Sequence, residues 1–153
     1  MGVKLALNKS KVVLKEHIEI NGHIYCIDGK TVVLEPSKKE LNVAIWLSKK
    51  LNKKVEVLPR VLIPEGIKTS DYLIDDNNWD LKTIISNINN AVYTSIRKKE
   101  KQSNNFVIGI SKSKLSIKSA IKQVMGIYSM KGFNWLNNII IKKNDSFEII
   151  KRK

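Results

Sequence analysis

The run Thr69-Ser70-Asp71-Tyr72-Leu73-Ile74-Asp75-Asp76-Asn77-Asn78-Trp79-Asp80-Leu81-Lys82 limits the fold more than any other part of this chain. Asp75-Asp76-Asn77-Asn78 is turn chemistry, with short polar side chains that bond their own backbone and tolerate left-handed conformations. It separates two runs that read as strands, Tyr72–Ile74 and Trp79–Lys82, folded back as a hairpin. Side chains alternate faces along a strand, so Asp80 and Lys82 point one way and Leu81 points into the core. Asp71, at the start of the first strand, stands near the end of the second. Two carboxylates and a lysine are therefore expected to converge. Such a cluster suits a divalent cation, because Mg²⁺ is hard and takes one or two carboxylates together with water and substrate phosphate. The lysine can position or deprotonate a water that attacks a phosphodiester. The same residues also fit a plain hairpin turn followed by a solvated Asp80–Lys82 pair, which contributes little.

Charge bears on the choice between these readings. The 153 residues carry a formal net charge of +14, and the excess is uneven. Up to Asp80 there are 13 basic and 11 acidic residues; from Leu81 onward there are 15 basic and 3 acidic, a net of +12. A basic excess concentrated in one half points to a polyanion partner, with an anionic membrane surface or an acidic protein as alternatives. A lysine-, asparagine- and isoleucine-rich composition of AT-rich coding sequence accounts for part of it. No apolar run approaches a membrane span, and the opening residues are too short for a secretory signal. They also lack the hydroxyl residue a myristoylation signal needs. The single Cys26 excludes an intramolecular disulfide and an all-cysteine zinc site, and with His17 and His23 it makes poor metal spacing. Cys26 is expected in the core. The length fits one compact domain, with residues 1–35 as a β-rich N-terminal part packed on a core of residues 36–153.

Residues 1–15 alternate weakly and read as an edge strand. A β-meander follows from His17, with Asn21-Gly22 and Asp28-Gly29 as hairpin turns between Ile18, Ile20, Ile24, Ile27, Val32 and Leu34. Ser37 and Glu40 form an S-x-x-E capping box before Leu41, Ala44, Ile45, Ser48 and Leu51, predicting a helix that ends near Asn52. Val55–Leu58 is a short strand closed by Pro59, and residues 60–70 read as loop. After the hairpin, Ile84, Ile88, Ala91, Val92 and Ile96 predict a helix over 84–101, ending in Arg97-Lys98-Lys99-Glu100-Lys101-Gln102. Cations there complement the helix dipole. Phe106–Ile110 reads as a strand buried on both faces. A third helix is predicted over 113–129, with Lys112, Lys114, Lys118 and Lys122 along its polar side. Strands over Asn138–Lys142 and Phe147–Lys151, with Asn144-Asp145 at their turn, close the chain. Trp79, Tyr93, Tyr128 and Trp135 are expected in the core rather than as base-stacking platforms.

The order helix, strand, hairpin bearing Asp…Asp-x-Lys, helix, strand resembles the core of the PD-(D/E)XK nuclease superfamily. More narrowly, Glu35-Pro36-Ser37…Glu40…Val43-Ala44…Leu47…Val57-Leu58-Pro59…Thr69–Ile74…Trp79-Asp80-Leu81-Lys82 is similar to the C-terminal tRNase domain of contact-dependent growth inhibition (CdiA) toxins. Gln102 followed by Asn104–Ile108 resembles that family's next segment, so the likeness spans roughly residues 31–152. It departs from the family at Ser70, where a proline usually precedes the first aspartate.

The resemblance implies an α/β fold with a restriction-endonuclease-like core, a mixed central sheet flanked by helices, and an N-terminal β-meander. It implies a catalytic set of Glu40, Asp71, Asp80 and Lys82. Asp71, Asp80 and the Leu81 carbonyl would hold Mg²⁺ or Mn²⁺. Lys98, Lys99, Lys101, Gln102, Lys112, Lys114, Lys118 and Lys122 are the expected nucleic-acid contacts. The implied activity is metal-dependent cleavage of RNA, most narrowly tRNA, by a toxin domain delivered to a target cell's cytoplasm and paired with an acidic immunity protein. DNA cleavage by a phage or mobile-element nuclease is the alternative substrate. A non-catalytic basic nucleic-acid-binding module is the alternative class.

Overall fold

The computed structural model describes residues 10–152 and has a mixed α/β architecture. It divides into two compact units, Met1–Asn78 and Trp79–Lys153. In the first, β1 (Val12–Leu14) runs parallel to β5 (Val55–Val57), which runs antiparallel to β7 (Tyr72–Ile74). Helix α1 (Lys38–Leu51) packs on β5 and β1, burying Ala44, Ile45, Leu47 and Ser48. Its start follows the sequence reading: Ser37 Oγ accepts from Glu40 N–H at 3.1 Å, and Glu40 Oε1 accepts from Ser37 N–H at 3.2 Å. Two of the N–H groups that every helix leaves orphaned are thereby satisfied. Asn52, left-handed at φ 52°, closes the other end.

The meander stops after one hairpin. β2 (His17–Ile20) and β3 (His23–Cys26) pair around Asn21-Gly22 as expected. Asp28-Gly29 makes no second hairpin: Asp28 Oδ1 instead accepts from the N–H groups of Lys30, Thr31 and Val32, folding a closed loop. β4 (Val32–Val33) then pairs with β6 (Arg60–Val61), inside the stretch read as loop. Ile18, Val32, Leu58 and Val61 form the small core beneath. Cys26 is exposed, contrary to expectation, because it sits at the end of β3 on the side away from this core. The expected edge strand survives as β1; residues 1–9 lie outside the described residues.

In the second unit, β8 (Asn77–Thr83, entering from the first), β9 (Asn105–Gly109) and β10 (Asn138–Lys143) are mutually parallel, and β11 (Ser146–Lys151) returns antiparallel. β9 is buried on both faces, as its unbroken apolar run requires. Phe106, Ile108, Ile139, Ile141 and Ile150 face a core that α2 (Ala91–Ile96) and α3 (Ile117–Tyr128) complete with Val92, Ile96, Ala120, Val124 and Ile127. The hairpin β10–β11 forms as read, with Asn144 left-handed at φ 55°.

Both helices of this unit are shorter than the periodicity suggests. Instead of 84–101, α2 covers six residues. Ile84 continues the strand direction, its N–H donating to the Gly109 carbonyl at 2.9 Å, and Ile88 is exposed. Instead of 113–129, α3 begins after Ser116, whose hydroxyl caps Ser119 N–H at 3.0 Å. Ser113 turns away to donate to the Ser86 carbonyl at 2.6 Å. Lys112 and Lys114 therefore lie on the approach to α3, and only Lys118 and Lys122 are on the helix itself.

Candidate functional site

Strand β8 carries the two residues on which the sequence reading turns. Trp79 and Asp80 are both buried, Asp80 to 3% exposure, so both faces of the strand are covered here. Parallel pairing to β9 holds Asp80 opposite Phe106 and Lys82 opposite Ile108. With one residue, Leu81, between them on a strand, the two side chains share a face, and Lys82 Nζ lies 2.7 Å from Asp80 Oδ2. That oxygen is buried and accepts no well-directed hydrogen bond, so its contact with the ammonium is one of charge. A buried carboxylate left short of donors is costly unless a cation faces it. Hard oxygen donors of this kind are what Mg²⁺ or Mn²⁺ takes, so the donor chemistry fits such an ion. Leu81 is half-buried rather than a core residue.

In the first unit, Asp75 and Asp76 are both left-handed, at φ 52° and 62°, and make a two-residue turn between β7 and the start of β8. This is narrower than the four-residue turn read from sequence, because Asn77 and Asn78 join the strand. Asp75 pairs with Lys53. Asp71, at the foot of β7, is partly buried, and its carbonyl accepts from Leu58 N–H at 3.0 Å. Next to it, the Tyr72 hydroxyl donates to the Glu40 carbonyl at 2.6 Å, tying α1 to β7.

Glu40 itself is engaged twice. Besides its cap bond to Ser37, it accepts from Arg60 Nη2 at 2.9 and 3.1 Å. Burial alone pushes its carboxyl upward, but the bonds from Ser37 and the Arg60 guanidinium outweigh that and hold it below its ordinary value. Arg60 was not singled out in the sequence; its only signal there is a charge beside Pro59 in an apolar stretch. Among the described residues, no three His, Cys, Asp or Glu side chains are gathered as a ready metal cage.

The expected nucleic-acid contacts lie in the second unit. Lys98, Lys101, Lys112, Lys114, Lys118 and Lys122 are exposed; Lys99 and Gln102 are partly buried in the turns that follow α2. Trp79 is buried as expected, whereas Tyr93, Tyr128 and Trp135 are only partly so. Tyr128 donates to the Ile150 carbonyl at 2.7 Å under the Arg152 guanidinium, and burial raises its hydroxyl to about 12.

Residues 68–147 match the family described as the contact-dependent growth inhibition CdiA C-terminal domain. No curated protein matches the chain. Among solved structures, the fold is similar to a chain of the CdiA-CT/CdiI toxin and immunity complex from Burkholderia pseudomallei, with a TM-score of 0.58 and 23% identity. The likeness covers 74% of this chain and 82% of that one. The family match spans more than half of the sequence and contains Asp71, Asp80 and Lys82; this chain belongs to the CdiA C-terminal domain family.

Proposed function

We infer that this chain is a toxin domain that cleaves RNA, with tRNA as its substrate, through a metal-dependent site centred on Asp80 and Lys82. One observation carries the reading: the donor-poor buried oxygen of Asp80, set 2.7 Å from the Lys82 ammonium on one strand face. A pair built for stability alone would satisfy that oxygen. Asp80, with Asp71 and the Leu81 carbonyl, would hold Mg²⁺ or Mn²⁺. The chemistry such an ion supplies is polarisation of a phosphate and acidification of a bound water. Lys82 orients that water or offsets the charge that builds on the phosphate oxygens. Glu40, held ionised by Arg60 and Ser37, adds negative charge on the α1 side.

Asp71 enters the proposed set through the Asp…Asp-x-Lys run, all of which lies within the family match. Support for a nucleic-acid substrate comes from the basic excess after Leu81. A partner of acidic character, an immunity protein, is supported by that same excess and by the toxin–immunity complex whose fold this chain shares.

The test is incubation with total tRNA and, separately, plasmid DNA, each with Mg²⁺, Mn²⁺ or EDTA. Discrete tRNA fragments should form with metal, and vanish with EDTA and in Asp80→Ala and Lys82→Ala, with a loss of at least about 10²-fold in rate. Full activity in either folded variant removes the site. Cut DNA beside intact tRNA would reassign the substrate. Binding of both without cleavage would leave a basic binding module.

A further inference from the structure

The second unit carries a groove outside the Asp80–Lys82 strand face, whose walls include two of the expected nucleic-acid contacts, Lys114 and Lys122. Two open cavities, of about 550 and 370 Å³, adjoin beside α3 as the two ends of a channel, with Asn89, Lys122 and Gln123 in the walls of both. Each falls in the size range of small-molecule sites. Their characters differ. The larger end is polar, with Lys114, Lys122, Ser119 and Asn87 in its wall. The smaller end is mostly apolar, walled by Tyr93, Gly126, Ile127 and Met130. No Asp or Glu lines either end.

One detail of the apolar end calls for an explanation that packing does not supply. Gly126 lies inside α3, where glycine weakens a helix relative to alanine, yet a Cβ placed there meets nothing within 4 Å. The neighbouring protein atoms therefore do not demand a glycine; its effect is to expose helix backbone to whatever occupies the channel. The ring of Tyr93 is braced against Phe133, centroids 5.6 Å apart, which fixes its orientation at the same end. Gln123 lines both ends, and its side chain is fixed where they meet, accepting from Val92 N–H at 2.9 Å and donating to the Ile88 carbonyl at 3.3 Å.

A flat ring at one end and an anion at the other is the shape of a nucleotide. The geometry points to this channel as a subsite for one unpaired nucleotide of a single-stranded segment of the RNA substrate. The phosphate sits between Lys114 and Lys122 with Ser119 and Asn87 as donors, and the base lies over Gly126 against Tyr93. This rests on the nuclease reading above and adds to it: the enzyme takes its substrate where a base is unpaired, a loop or a tail rather than a stem. Stacking on an aromatic is tolerant of base identity, so the subsite selects for an unpaired base rather than for one sequence.

Binding is measured with Asp80→Ala, which keeps RNA intact, using a labelled single-stranded oligoribonucleotide, the same sequence as a duplex, and inorganic phosphate. Backbone amide shifts of Tyr93, Lys122 and Gly126 report where each probe sits. The single strand should move those amides and bind more tightly than the duplex. Gly126→Leu, which fills the apolar end, should weaken the single strand about tenfold and leave inorganic phosphate unchanged. Lys122→Ala should weaken both. Gly126→Ala fits the space and should bind within about twofold of the parent, which separates filling the channel from disturbing the helix. Single-strand affinity unchanged in both Gly126→Leu and Lys122→Ala overturns the subsite, as does a polyglutamate peptide, and not RNA, moving these amides. Cleavage by the protein with Asp80 intact is scored alongside. RNA cut at full rate by Gly126→Leu with unchanged binding overturns the subsite and leaves the nuclease reading standing. RNA left uncut but still seated at Tyr93 and Gly126 keeps the subsite and removes the nuclease reading.

Discussion

Glu40 shows how one carboxylate can close a helix cap and hold an ion pair at once. Its carboxylate closes the capping box on Ser37 and receives Arg60, and both interactions favour the ionised form. A carboxyl held below its ordinary value of 4.5 adds stability that is fully present above that value and is lost as pH falls through the lowered one. Arg60 is half-exposed, so solvent screens the ion pair, and the cap bonds carry most of the effect. Glu40→Gln keeps the shape of the box but removes the charge. It should lower stability by about 1 kcal/mol at neutral pH. The gap between the two thermal melts should narrow as the buffer is acidified below the ordinary carboxyl value and close once the pH passes below the lowered one, where the group is protonated in both the folded and unfolded chain. A gap that persists in acid would mean that Glu40 acts through packing, and any loss of cleavage in this variant must be read beside its melt.

At the scale of elements, what reads well from sequence is what local chemistry decides. The capping box at Ser37, the helix end near Asn52, the Asn21-Gly22 hairpin, the turn starting at Asp75 (two residues where four were read) and the doubly buried β9 all follow from residues within a few positions of one another. The long helix expected over 84–101 failed for a reason outside that window. Asn87, Asn89 and Asn90 compete for backbone bonds and favour caps over helix interiors, and the missing bonds come from Gln123, 31 positions beyond Val92. Likewise, the strand partner of Val32–Val33 is Arg60–Val61, which no nearby turn announces. The candidate site divides the same way: the Asp80–Lys82 spacing is legible on one strand, whereas Arg60 at Glu40 and the channel around Tyr93 are products of folding. Gln123→Ala should therefore act on the 88–92 segment rather than on α3. The expected cost is about 1–2 kcal/mol, because Val92 N–H loses its partner. Hydrogen exchange at Val92 should accelerate while the amides of β9 keep their protection.

For the molecule as a whole, charge distribution makes a claim that geometry at one site does not. From Trp79 to the end there are 15 basic and 4 acidic residues, and one of those acids, Asp80, is buried beside Lys82. The surface of this unit is thus nearly free of carboxylates to compete for a polyanion, whereas the first unit's charges nearly cancel. Binding that neutralises phosphates releases counterions, so affinity should fall linearly on logarithmic axes as salt rises, with a slope near 0.7 to 0.9 per phosphate contacted. For Asp80→Ala bound to tRNA, six or more contacts would lower affinity by at least about 10³-fold between roughly 50 and 200 mM salt. Lys98 and Lys101 are exposed in the turns after α2, and replacing both with glutamine should reduce the slope by about 2 without moving the melting temperature. The matching control, Lys49 and Lys50 on the last turn of α1, should leave the slope alone. A slope that drops for the control pair and not for Lys98 and Lys101 would place the polyanion track on the first unit. The basic excess after Leu81 would then have to serve the immunity partner instead, and an acidic protein competing with tRNA for Asp80→Ala would separate these two uses of one surface.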